Sequence, residues 1–398
     1  EFGDMASSDT DWIAAEDRPR VLVVTAAYPC ARAPRRGQFI HALHRDLAPD
    51  FRSEVLAPRI RTDDPAEERW EGIPVTRFRY RSGDRTPKHA GIGLVDIASY
   101  LIAGDRAARR LWPSPVVREK VVVLAHWVVP SGWIGRRVAR RWNAPLVLFA
   151  HGSDLTRYAR APGARSVAGS ILRSARVVVG ASRELVAIAE QLAGRPIDGR
   201  VAPVGVDETF FDARTRSESI DASPRPLRLL FVGDGLASKG LPLLLDAVRR
   251  CGPGVVELAV IGEGPVIDAI DRTRDPAVRV LGVCSPEEIA AEMRRRDGLV
   301  LPSEREGTPV VVQEAIVSQL PVIATAVGGI PDLFVERSGW TAIPVGDSDA
   351  LFRVLREWID GGPAAARARR EAMASNETRS LARSSTVAAL RTVLEEVL

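Results

Sequence analysis

Short runs of branched apolar residues alternate with helical segments along most of this chain. Residues 20–27 (RVLVVTAA) have the length and branching of a buried strand, and residues 38–47 follow with the apolar spacing of a helix. Strands that are apolar on both faces and separated by helices indicate parallel βαβ units. Further strands are predicted at 121–125, 145–150, 176–180 and 197–201, with a helix at 131–142.

A polar segment with two prolines and no periodicity, residues 212–226, interrupts this alternation and is typical of a linker. The alternation then restarts, so the sequence predicts an α/β protein with two tandem doubly wound parallel-sheet domains, at 20–211 and 227–375. Ligands of open α/β sheets bind beyond the carboxyl ends of the strands, and we expect the two sheets to face a cleft between the domains. The second set of predicted strands is 227–233, 255–261, 278–281, 298–301 and 321–324.

The two ends of the chain are assigned separately. Residues 1–19 begin with EFGD before Met5, and we interpret them as a tag remnant and a tail. Residues 376–398 are predicted to form a C-terminal helix that packs back on the N-terminal domain. The N-terminus shows no signal-peptide pattern. We therefore expect a cytoplasmic protein, with attachment to the inner face of the membrane left open.

Composition excludes several classes of protein. With 45% hydrophobic residues among 398, the chain can bury a sizeable core, and it contains no apolar run near the roughly 20 residues of a membrane-spanning helix. A net charge of +4 is too small to indicate a nucleic-acid partner by itself. Three widely spaced cysteines without a CxxC pair, and histidines without an HExxH pattern, argue against a disulfide framework and a metal site.

Lysine is scarce, because only Lys88, Lys120 and Lys239 stand among 55 basic residues. Lys239 belongs to residues 231–240 (FVGDGLASKG), where a strand runs into a glycine turn and a helix start. A cation beside the free N–H groups of a helix start is a phosphate-binding arrangement. The alternative is a solvated lysine with no ligand.

A second segment, residues 302–315 (PSEREGTPVVVQEA), passes from a strand through a loop into a helix predicted at about 310–319. Glu306 lies in the loop, and Glu314 lies about one turn inside the helix. Helix N–H groups suit a diphosphate, and the two carboxylates can accept hydrogen bonds from sugar hydroxyls. The alternative is an ordinary acidic helix start with a solvated glutamate.

The C-terminal half resembles the retaining family-4 glycosyltransferases of the GT-B superfamily. The resemblance rests on motifs that occur in the family's order and spacing, and Glu306 and Glu314 match its E-x7-E signature. The N-terminal half agrees less densely, and the whole set is most similar to polysaccharide-type enzymes such as those of teichuronic acid synthesis. The motifs are FVG…KG at 231–240, IGEGP at 261–265, VRVLGVCSPEEI at 278–289, LPSEREGTP…QEA at 301–315, PVIATAVGGIPDL at 321–333, TAAYPCARAPRRGQF at 25–39, LAHWVVPSG at 124–132, FAHGSDL at 149–155 and PVGVDETF at 203–210.

This resemblance implies two Rossmann-like domains in a GT-B arrangement and a retaining, metal-independent transfer of a hexosyl unit. The donor would be a nucleotide-diphosphate sugar, with UDP as the first choice of nucleotide, and no cofactor would be needed. The acceptor would be a hydroxyl of a glycan, a lipid-linked sugar or a small molecule. No nucleic acid would be a partner.

The same resemblance assigns roles to residues. Glu306 would contact the hydroxyls of the donor sugar as a positioning group, and Lys239 would neutralise the leaving diphosphate. His151 would lie over the sugar ring, although a core or capping histidine is its alternative. The remaining donor-site residues are Gly37, Gly262, Val283, Gly307, Thr308, Pro309, Val310 and Glu314, of which Glu314 would bind the ribose, and the acceptor-site residues are His126, Trp127 and Asp154.

One position departs from the family. An arginine usually follows FVG and forms a cationic clamp with the lysine, but this chain has Asp234. We hypothesise that Arg32, Arg35 or Arg36, which precede Gly37, supplies the missing positive charge. Alanine changes at all three arginines that left donor affinity unchanged would contradict this.

The segment 133–142 (WIGRRVARRW) combines an apolar side with several arginines. A contact with a membrane surface or an anionic acceptor through this basic N-domain surface is one interpretation. A crossover helix that packs its apolar stripe on the sheet is the other. Trp127 and Trp133 are candidates for stacking on an acceptor sugar.

Other functions remain open. The first is another enzyme on the same fold, such as a nucleotide-sugar epimerase or a phosphorylase, of which the phosphorylase is disfavoured because no pyridoxal lysine site is evident. The second is a nucleotide-sugar-binding protein with impaired catalysis, which Asp234 motivates. A Rossmann dehydrogenase is disfavoured because neither half carries GxGxxG with an acidic residue about 20 residues later.

Overall fold

The computed structural model describes residues 18–31, 33–34, 36–59, 64–81, 93–113, 120–152, 154–155, 162–212, 225–270, 276–335 and 337–398. The chain divides into two compact units. The first unit comprises Glu1–Gly180, Val186–Ala202 and Val387–Leu398, and the second comprises Ala181–Leu185 and Pro203–Thr386. Residues 1–17 of the predicted tail and 213–224 of the predicted linker lie outside the described residues.

Strands and helices alternate through both units. The strands are β1 (Arg20–Val24), β2 (Arg52–Pro58), β3 (Glu67–Trp70), β4 (Ile73–Phe78), β5 (Val121–His126), β6 (Leu146–Ala150), β7 (Val177–Gly180), β8 (Gly199–Val201), β9 (Leu227–Val232), β10 (Val256–Ile261), β11 (Val278–Gly282), β12 (Gly298–Leu301), β13 (Val322–Thr325) and β14 (Trp340–Ile343). The helices are α1 (Gln38–Asp46), α2 (Leu94–Leu111), α3 (Ser131–Trp142), α4 (Pro162–Leu172), α5 (Arg183–Ala193), α6 (Glu208–Asp212), α7 (Leu241–Cys251), α8 (Pro265–Asp268), α9 (Pro286–Arg295), α10 (Val310–Val317), α11 (Ile330–Leu333), α12 (Ser348–Asp360), α13 (Gly362–Ala374) and α14 (Arg383–Val397).

The first unit contains an eight-stranded sheet in the order β3-β4-β2-β1-β5-β6-β7-β8. Neighbouring strands are parallel apart from the antiparallel edge pair of β3 and β4. Glu71 and Gly72 connect that pair with φ values of 45° and 85°, the positive φ values that a two-residue hairpin turn requires. The central strands β1 and β5 are almost completely buried because helices cover both faces of a parallel sheet.

The second unit contains a six-stranded, fully parallel sheet in the order β11-β10-β9-β12-β13-β14. Numbered within the unit, this order is 3-2-1-4-5-6, the order of a doubly wound nucleotide-binding fold. Its core consists of buried aliphatic side chains from the strands and from the inner faces of α7, α10 and α12. The two sheets confirm the predicted fold class of two Rossmann-like parallel-sheet domains.

Each strand predicted from the sequence is present, with ends that differ by at most three residues. The pattern missed β2, β3, β4 and β14. Strand β3 reads EERW and lies at a sheet edge, where alternating exposure leaves little apolar signal. The predicted C-terminal helix is α14, which begins at Arg383 after a 3₁₀ turn at Arg379–Leu381.

Candidate active site

The strand order of the second unit reverses between β9 and β12, which are direct neighbours. In a doubly wound sheet, the loops after the two strands at this switch point surround the ligand-binding crevice. The loop after β9 carries Lys239, and the loop after β12 carries Glu306. The topology therefore brings together two segments that the sequence singled out separately.

Glycine allows these two loops to touch. Gly240 has a φ of 75°, and a Cβ atom there would lie 2.0 Å from the carbonyl oxygen of Pro302. The backbone N–H of Glu304 also donates to the carbonyl oxygen of Ser238 over 2.9 Å. Only glycine combines the left-handed conformation with so close an approach.

Lys239 and Glu306 form a bidentate ion pair. The Nζ atom of Lys239 lies 2.9 Å from Oε1 and 2.8 Å from Oε2 of Glu306, and the Ser303 hydroxyl donates to Oε1 over 2.7 Å. The Glu306 side chain is 6% exposed and that of Lys239 is 25% exposed. The carboxylate is thus held inside the loop, while the Lys239 side chain is partly exposed.

The loop after β13 supports the Glu306 loop. A Cβ atom at Gly328, whose φ is 58°, would lie 2.3 Å from the carbonyl oxygen of Glu306. The N–H of Gly329 donates to the carbonyl oxygen of Gly307 over 2.6 Å, and the Thr325 hydroxyl donates to that of Ser303 over 2.6 Å. These bonds bind the backbone of the acidic loop to the neighbouring strand end.

Helix α10 begins directly after this loop. Its N-cap residue is Pro309, and no side chain caps the helix N-terminus. The first N–H groups of a helix lack partners within the helix and carry partial positive charge, so those from Val310 onward can bind an anion. The Thr308 hydroxyl donates to the carbonyl oxygen of Ala181 over 3.0 Å, which leaves the backbone of Thr308, rather than its side chain, for a ligand.

Glu314 lies one turn inside α10 and is half-buried. Desolvation, with a smaller contribution from the negative charge of Asp207, raises the pKa of Glu314 to about 8. The carboxyl group is therefore mostly protonated at neutral pH, and it can both donate and accept a hydrogen bond. The sequence does not predict this raised pKa, because the E-x7-E spacing carries no information on how deeply Glu314 is buried.

The other predicted donor-site residues of this unit lie at the same edge of the sheet. Gly262 follows β10 with a φ of 135°, and a Cβ atom there would lie 2.0 Å from the carbonyl oxygen of Gly233. Val283 follows β11, two strands away from β9, and is 50% exposed.

The departure at Asp234 lies on an exposed part of the loop after β9. Water and salt screen an exposed charge, so its repulsion of a nearby anion is weak. Of the three arginines considered as its compensation, Arg32 and Arg35 lie outside the described residues. Arg36 is half-buried, and desolvation lowers the pKa of its guanidinium. Its compensating role stays a prediction.

In the first unit, the strand order reverses between β1 and β5. Gly37 is the N-cap residue of α1, on the segment that follows β1. Its φ is 65°, and a Cβ atom there would lie 2.5 Å from the carbonyl oxygen of Ala27. His126 ends β5, and His151 directly follows β6. The residues predicted for this domain therefore also gather at carboxyl ends of strands, at the switch point of their own sheet.

Trp127 adopts a φ of 70°, which is rare for a bulky residue and is typical of functional loops. Asp154 supports this loop, since its Oδ2 accepts from the N–H of Val128 over 2.6 Å and its Oδ1 from that of Gly152 over 3.0 Å. Burial raises the pKa of Asp154 to about 6 despite these bonds. Each carboxylate oxygen accepts from a backbone N–H, so Asp154 supports the loop. Its predicted role at the acceptor site stays a prediction.

His126 is completely buried and contacts two other histidines. Its Nδ1 lies 3.0 Å from Nε2 of His151, and its Nε2 lies 3.1 Å from Nε2 of His44. His44 Nδ1 in turn lies 2.9 Å from the Ser53 hydroxyl. Sequence reasoning missed His44 and Ser53, because no local pattern shows that α1 and β2 place them beside the end of β5.

Helix α3 packs its apolar stripe inward, with Ile134 and Val138 completely buried. Arg137 pairs with Asp105 on α2, and Arg141 donates to the carbonyl oxygens of Ala108 and Trp112. This packing agrees with the crossover-helix interpretation of the segment. In the described part of the chain, no helix is long and apolar enough to cross a membrane.

Over the same described residues, no group of three or more His, Cys, Asp or Glu side chains is arranged to hold a metal ion. The charges available at the loops after β9 and β12 come from side chains and helix N–H groups.

The sequence pattern did not indicate Ser303, although this residue lies in the segment 302–315 and its hydroxyl donates to Glu306.

Two family models match the chain, one in each half. The model described as "Glycosyl transferase 4-like domain" matches residues 33–205, and that described as "Glycosyl transferases group 1" matches residues 226–360. Among curated proteins, the putative teichuronic acid biosynthesis glycosyltransferase TuaC of Bacillus subtilis is 29% identical over 337 residues, covering 79% of this chain and 83% of that protein. The similarity to enzymes of teichuronic acid synthesis, expected from the motifs, is thus confirmed.

Solved structures share the fold over nearly the whole chain. Sucrose-phosphate synthase from Thermosynechococcus elongatus superimposes with a TM-score of 0.74 at 19% identity, covering 95% of this chain and 98% of that one. The Anabaena protein HepE, in complex with UDP-glucose, gives a TM-score of 0.68 at 16% identity, with 95% and 99% covered. With these folds and both family models, the chain belongs to the glycosyltransferases of the GT-B type.

Proposed function

We propose that the chain is a retaining glycosyltransferase that moves a hexosyl unit from a nucleotide-diphosphate sugar to a hydroxyl of a glycan, a glycolipid or a small molecule. The observation that carries this proposal is the Lys239–Glu306 pair, which lies at the switch point of the second sheet beside the uncapped start of α10. A cation, free N–H groups and a fixed carboxylate are what a sugar diphosphate needs for recognition.

UDP is proposed as the nucleotide. The Anabaena neighbour HepE was solved with UDP-glucose, and the shared fold supports the same class of donor here. Glu314, which is protonated near neutral pH, can donate a hydrogen bond as well as accept one from a ribose hydroxyl. Glu306 binds the sugar hydroxyls, with its orientation held by Ser303 and Lys239.

In the proposed reaction, the bond between the anomeric carbon and the diphosphate oxygen breaks, and the electron pair leaves with the diphosphate. Lys239 and the N–H groups of α10 stabilise this developing negative charge. The acceptor oxygen bonds to the anomeric carbon on the face that the diphosphate leaves, and the acceptor proton moves to a phosphate oxygen. Configuration is therefore retained without a protein nucleophile.

A thermal-shift screen against UDP-, GDP-, ADP- and dTDP-sugars tests the donor class. A ligand that binds only the folded state raises the unfolding temperature by mass action, and we expect the largest increase with UDP-sugars. The anomeric configuration of the product, followed by NMR from an α-linked donor, tests retention. Transfer that persists in excess EDTA supports metal independence, and its loss contradicts it.

The chain has Asp234 where the resembled family carries an arginine, and the loss of that positive charge supports a second candidate, a protein that binds nucleotide sugars with little or no transfer. In that case UDP-sugars raise the unfolding temperature but no UDP is released with any acceptor. A nucleotide-sugar epimerase would convert the sugar nucleotide without releasing UDP. Measuring UDP release and sugar identity in one incubation separates these outcomes from transfer.

A further inference from the structure

A surface cavity of about 460 Å³ lies at the amino ends of β6 and β7 in the first unit. Its walls are the C-terminal half of α3, the turn that leads into β6 and the residues that precede β7. Three arginines line it, and none of its described lining residues is acidic. We call this cavity, defined by Arg136, Arg140 and Arg176, the arginine pocket. Its volume is typical of sites for small ligands.

The arginine pocket lies at the opposite edge of the sheet from the predicted active-site residues of the same unit. Leu146 lines the pocket and begins β6, whereas His151 directly follows the other end of that strand. At a rise of about 3.3 Å per residue, the five residues of β6 separate the two ends by roughly 15 Å. A small ligand in the pocket therefore does not reach the residues predicted to bind the donor or the acceptor.

Arg136 is half-buried and has no carboxylate partner among the described residues. One of its terminal nitrogens donates to the neutral Ser170 hydroxyl over 2.7 Å, and its Nε is buried with no partner in the described part of the chain. Desolvation, with further contributions from the positive charges of Arg140 and Arg137, lowers the pKa of Arg136. The charged guanidinium is thus disfavoured where it lies, and a bound anion would offset that cost.

Arg140 and Arg176 add exposed positive charge to the same cavity. Neither makes a side-chain hydrogen bond or an ion pair with a residue that the structure describes. Asp198 is close enough for the charge of Arg176 to contribute to its lowered pKa, but the larger contribution is its hydrogen bond from Arg200, with which it forms an exposed ion pair over 2.6 Å. The positive charge of the pocket is therefore not neutralised from within its own walls.

The dipole of α3 explains only one of the three arginines. A cation in the last turn of a helix is favoured by the helix dipole, and Arg140 lies there. Arg136 lies in the middle of α3, and Arg176 lies outside the helices that the structure describes. The gathering of all three guanidinium groups at one cavity is better explained by an anionic ligand.

Guanidinium groups from two different segments suit a phosphate better than a carboxylate. One guanidinium can bind both oxygens of a carboxylate, whereas a phosphate offers further oxygens to additional guanidinium groups. We propose that the arginine pocket is a binding site for a phosphate monoester or diphosphate group, held by Arg136, Arg140 and Arg176. The group can belong to a soluble ligand or to a lipid headgroup. The inference does not rest on the proposed function.

Isothermal titration calorimetry of the full-length chain with inorganic pyrophosphate tests the pocket. The titration uses the K239A variant, so that pyrophosphate binding at the proposed donor site is weakened. We expect K239A to bind pyrophosphate, and the added changes R140A and R176A to weaken this binding by at least about tenfold each, as for the loss of one hydrogen bond to a charged group. Both side chains are exposed, so their removal leaves the core packing in place.

R106A/R110A is the matched control in the same K239A background. Arg106 and Arg110 are exposed arginines of α2 in the same unit, and neither lines the pocket. The control removes the same charge and should leave the affinity for pyrophosphate nearly unchanged. Equal affinities of the two sets of variants, or no binding of pyrophosphate to K239A, would overturn the proposal.

Vesicle sedimentation separates the two sources of the phosphate group. The full-length chain is mixed with vesicles of phosphatidylcholine alone or of phosphatidylcholine with phosphatidic acid. Sedimentation that requires phosphatidic acid and is lost in R140A/R176A, but not in R106A/R110A, supports a lipid headgroup as the ligand. Binding of pyrophosphate without such sedimentation supports a soluble phosphate ligand.

Failure of this proposal and failure of the proposed function are distinguishable, because binding of pyrophosphate to K239A requires neither donor nor turnover. Binding that depends on Arg140 and Arg176, in a chain that transfers no sugar, would contradict the proposed function only. Sugar transfer by a chain whose affinity for pyrophosphate is unchanged by R140A/R176A would contradict the arginine pocket only.

Discussion

The ammonium group of Lys239 lies 2.8 Å from Oε2 of Glu306 and 2.9 Å from Oε1, across a sequence separation of 67 residues. Each residue thus holds the other in place before any ligand binds. Under the proposed function, a diphosphate that reaches Lys239 competes for an ammonium group that is already oriented. The pair would then link recognition of the leaving diphosphate to the position of the Glu306 carboxylate.

Replacing Glu306 with Gln should lower turnover strongly, by roughly 10²-fold, since small displacements of a positioning group have effects of that order. Glutamine keeps the shape but cannot form the ion pair with Lys239 or accept sugar hydroxyls at two oxygens. The measurement is kcat for UDP release in the presence of acceptor.

Glu304→Gln is the control for this change, because Glu304 is exposed in the same loop and its side chain is not placed at the site. Its kcat should stay near that of the wild-type protein. Near-normal turnover in Glu306→Gln would remove Glu306 from the site.

Replacing Lys239 with Ala should reduce kcat by about 10²–10³-fold, the effect of removing one group that stabilises developing negative charge. The thermal shift with UDP should also decrease. Lys120→Ala is the control. It removes a lysine charge from the first unit and should change neither kcat nor the thermal shift. Equal kcat values for the two variants would contradict the role of Lys239.

Gly328→Ala should weaken donor binding through the backbone. Its Cβ would lie 2.3 Å from the carbonyl oxygen of Glu306, so the acidic loop must shift. Gly346→Ala is a matched control, since Gly346 has a similarly left-handed φ of 74° but nothing within 4 Å of a Cβ atom. Gly346→Ala should lose about 1 kcal/mol of stability from backbone strain alone, and Gly328→Ala should lose more because the loop must also move. Only Gly328→Ala should lose the thermal shift with UDP-sugars, and a loss in both would contradict this reasoning.

Glu314 should make the protein less stable as the pH rises. Its folded-state pKa is about 8 against an ordinary 4.5, so between these values the folded state holds a proton that the unfolded state lacks. The free energy of unfolding should therefore fall as pH rises from 4.5 to 8, by up to about 1.4 kcal/mol per pH unit.

Glu314→Gln removes this dependence, so its stability relative to the wild-type protein should increase with pH up to 8 and then stay constant. Urea unfolding at pH 6, 7 and 8 measures the difference. At pH 6, where the wild-type carboxyl is already neutral, Glu314→Gln should bind UDP nearly as well as the wild-type protein. A difference in stability that does not change with pH would show that Glu314 is ionised in the folded state.

Asp154→Asn should destabilise the loop at Trp127. An amide can accept from Val128 or Gly152 through its oxygen, but its NH₂ group faces the other backbone N–H, and an unsatisfied buried donor costs about 1–3 kcal/mol. Asp198→Asn is the control, because its exposed pair with Arg200 should contribute at most about 1 kcal/mol. Thermal unfolding at pH 7 compares them, and equal unfolding temperatures would contradict the supporting role of Asp154.

Local pattern was sufficient to predict the fold class. A buried parallel strand is apolar on both faces, so residues 227–233 and 298–301 were identified from composition and length alone. The sequence also predicts that Lys239 and Glu306 lie in loops at the carboxyl ends of strands, because each residue follows a predicted strand. Strand β3 was missed because an edge strand such as EERW is largely exposed and its residues need not be apolar.

Only the tertiary structure decided which of these loops meet. Because β9 pairs with β12 and not with β11, Lys239 reaches Glu306. The position of α1 likewise lets His44 contact His126, 82 residues away in the sequence. The tertiary structure also decided the pKa of Glu314 and of His126, because desolvation depends on neighbours from distant segments. Helical and strand periodicity arises from backbone geometry within a few residues. Strand order, burial and pKa arise from packing between segments far apart in the chain, and no local pattern contains them.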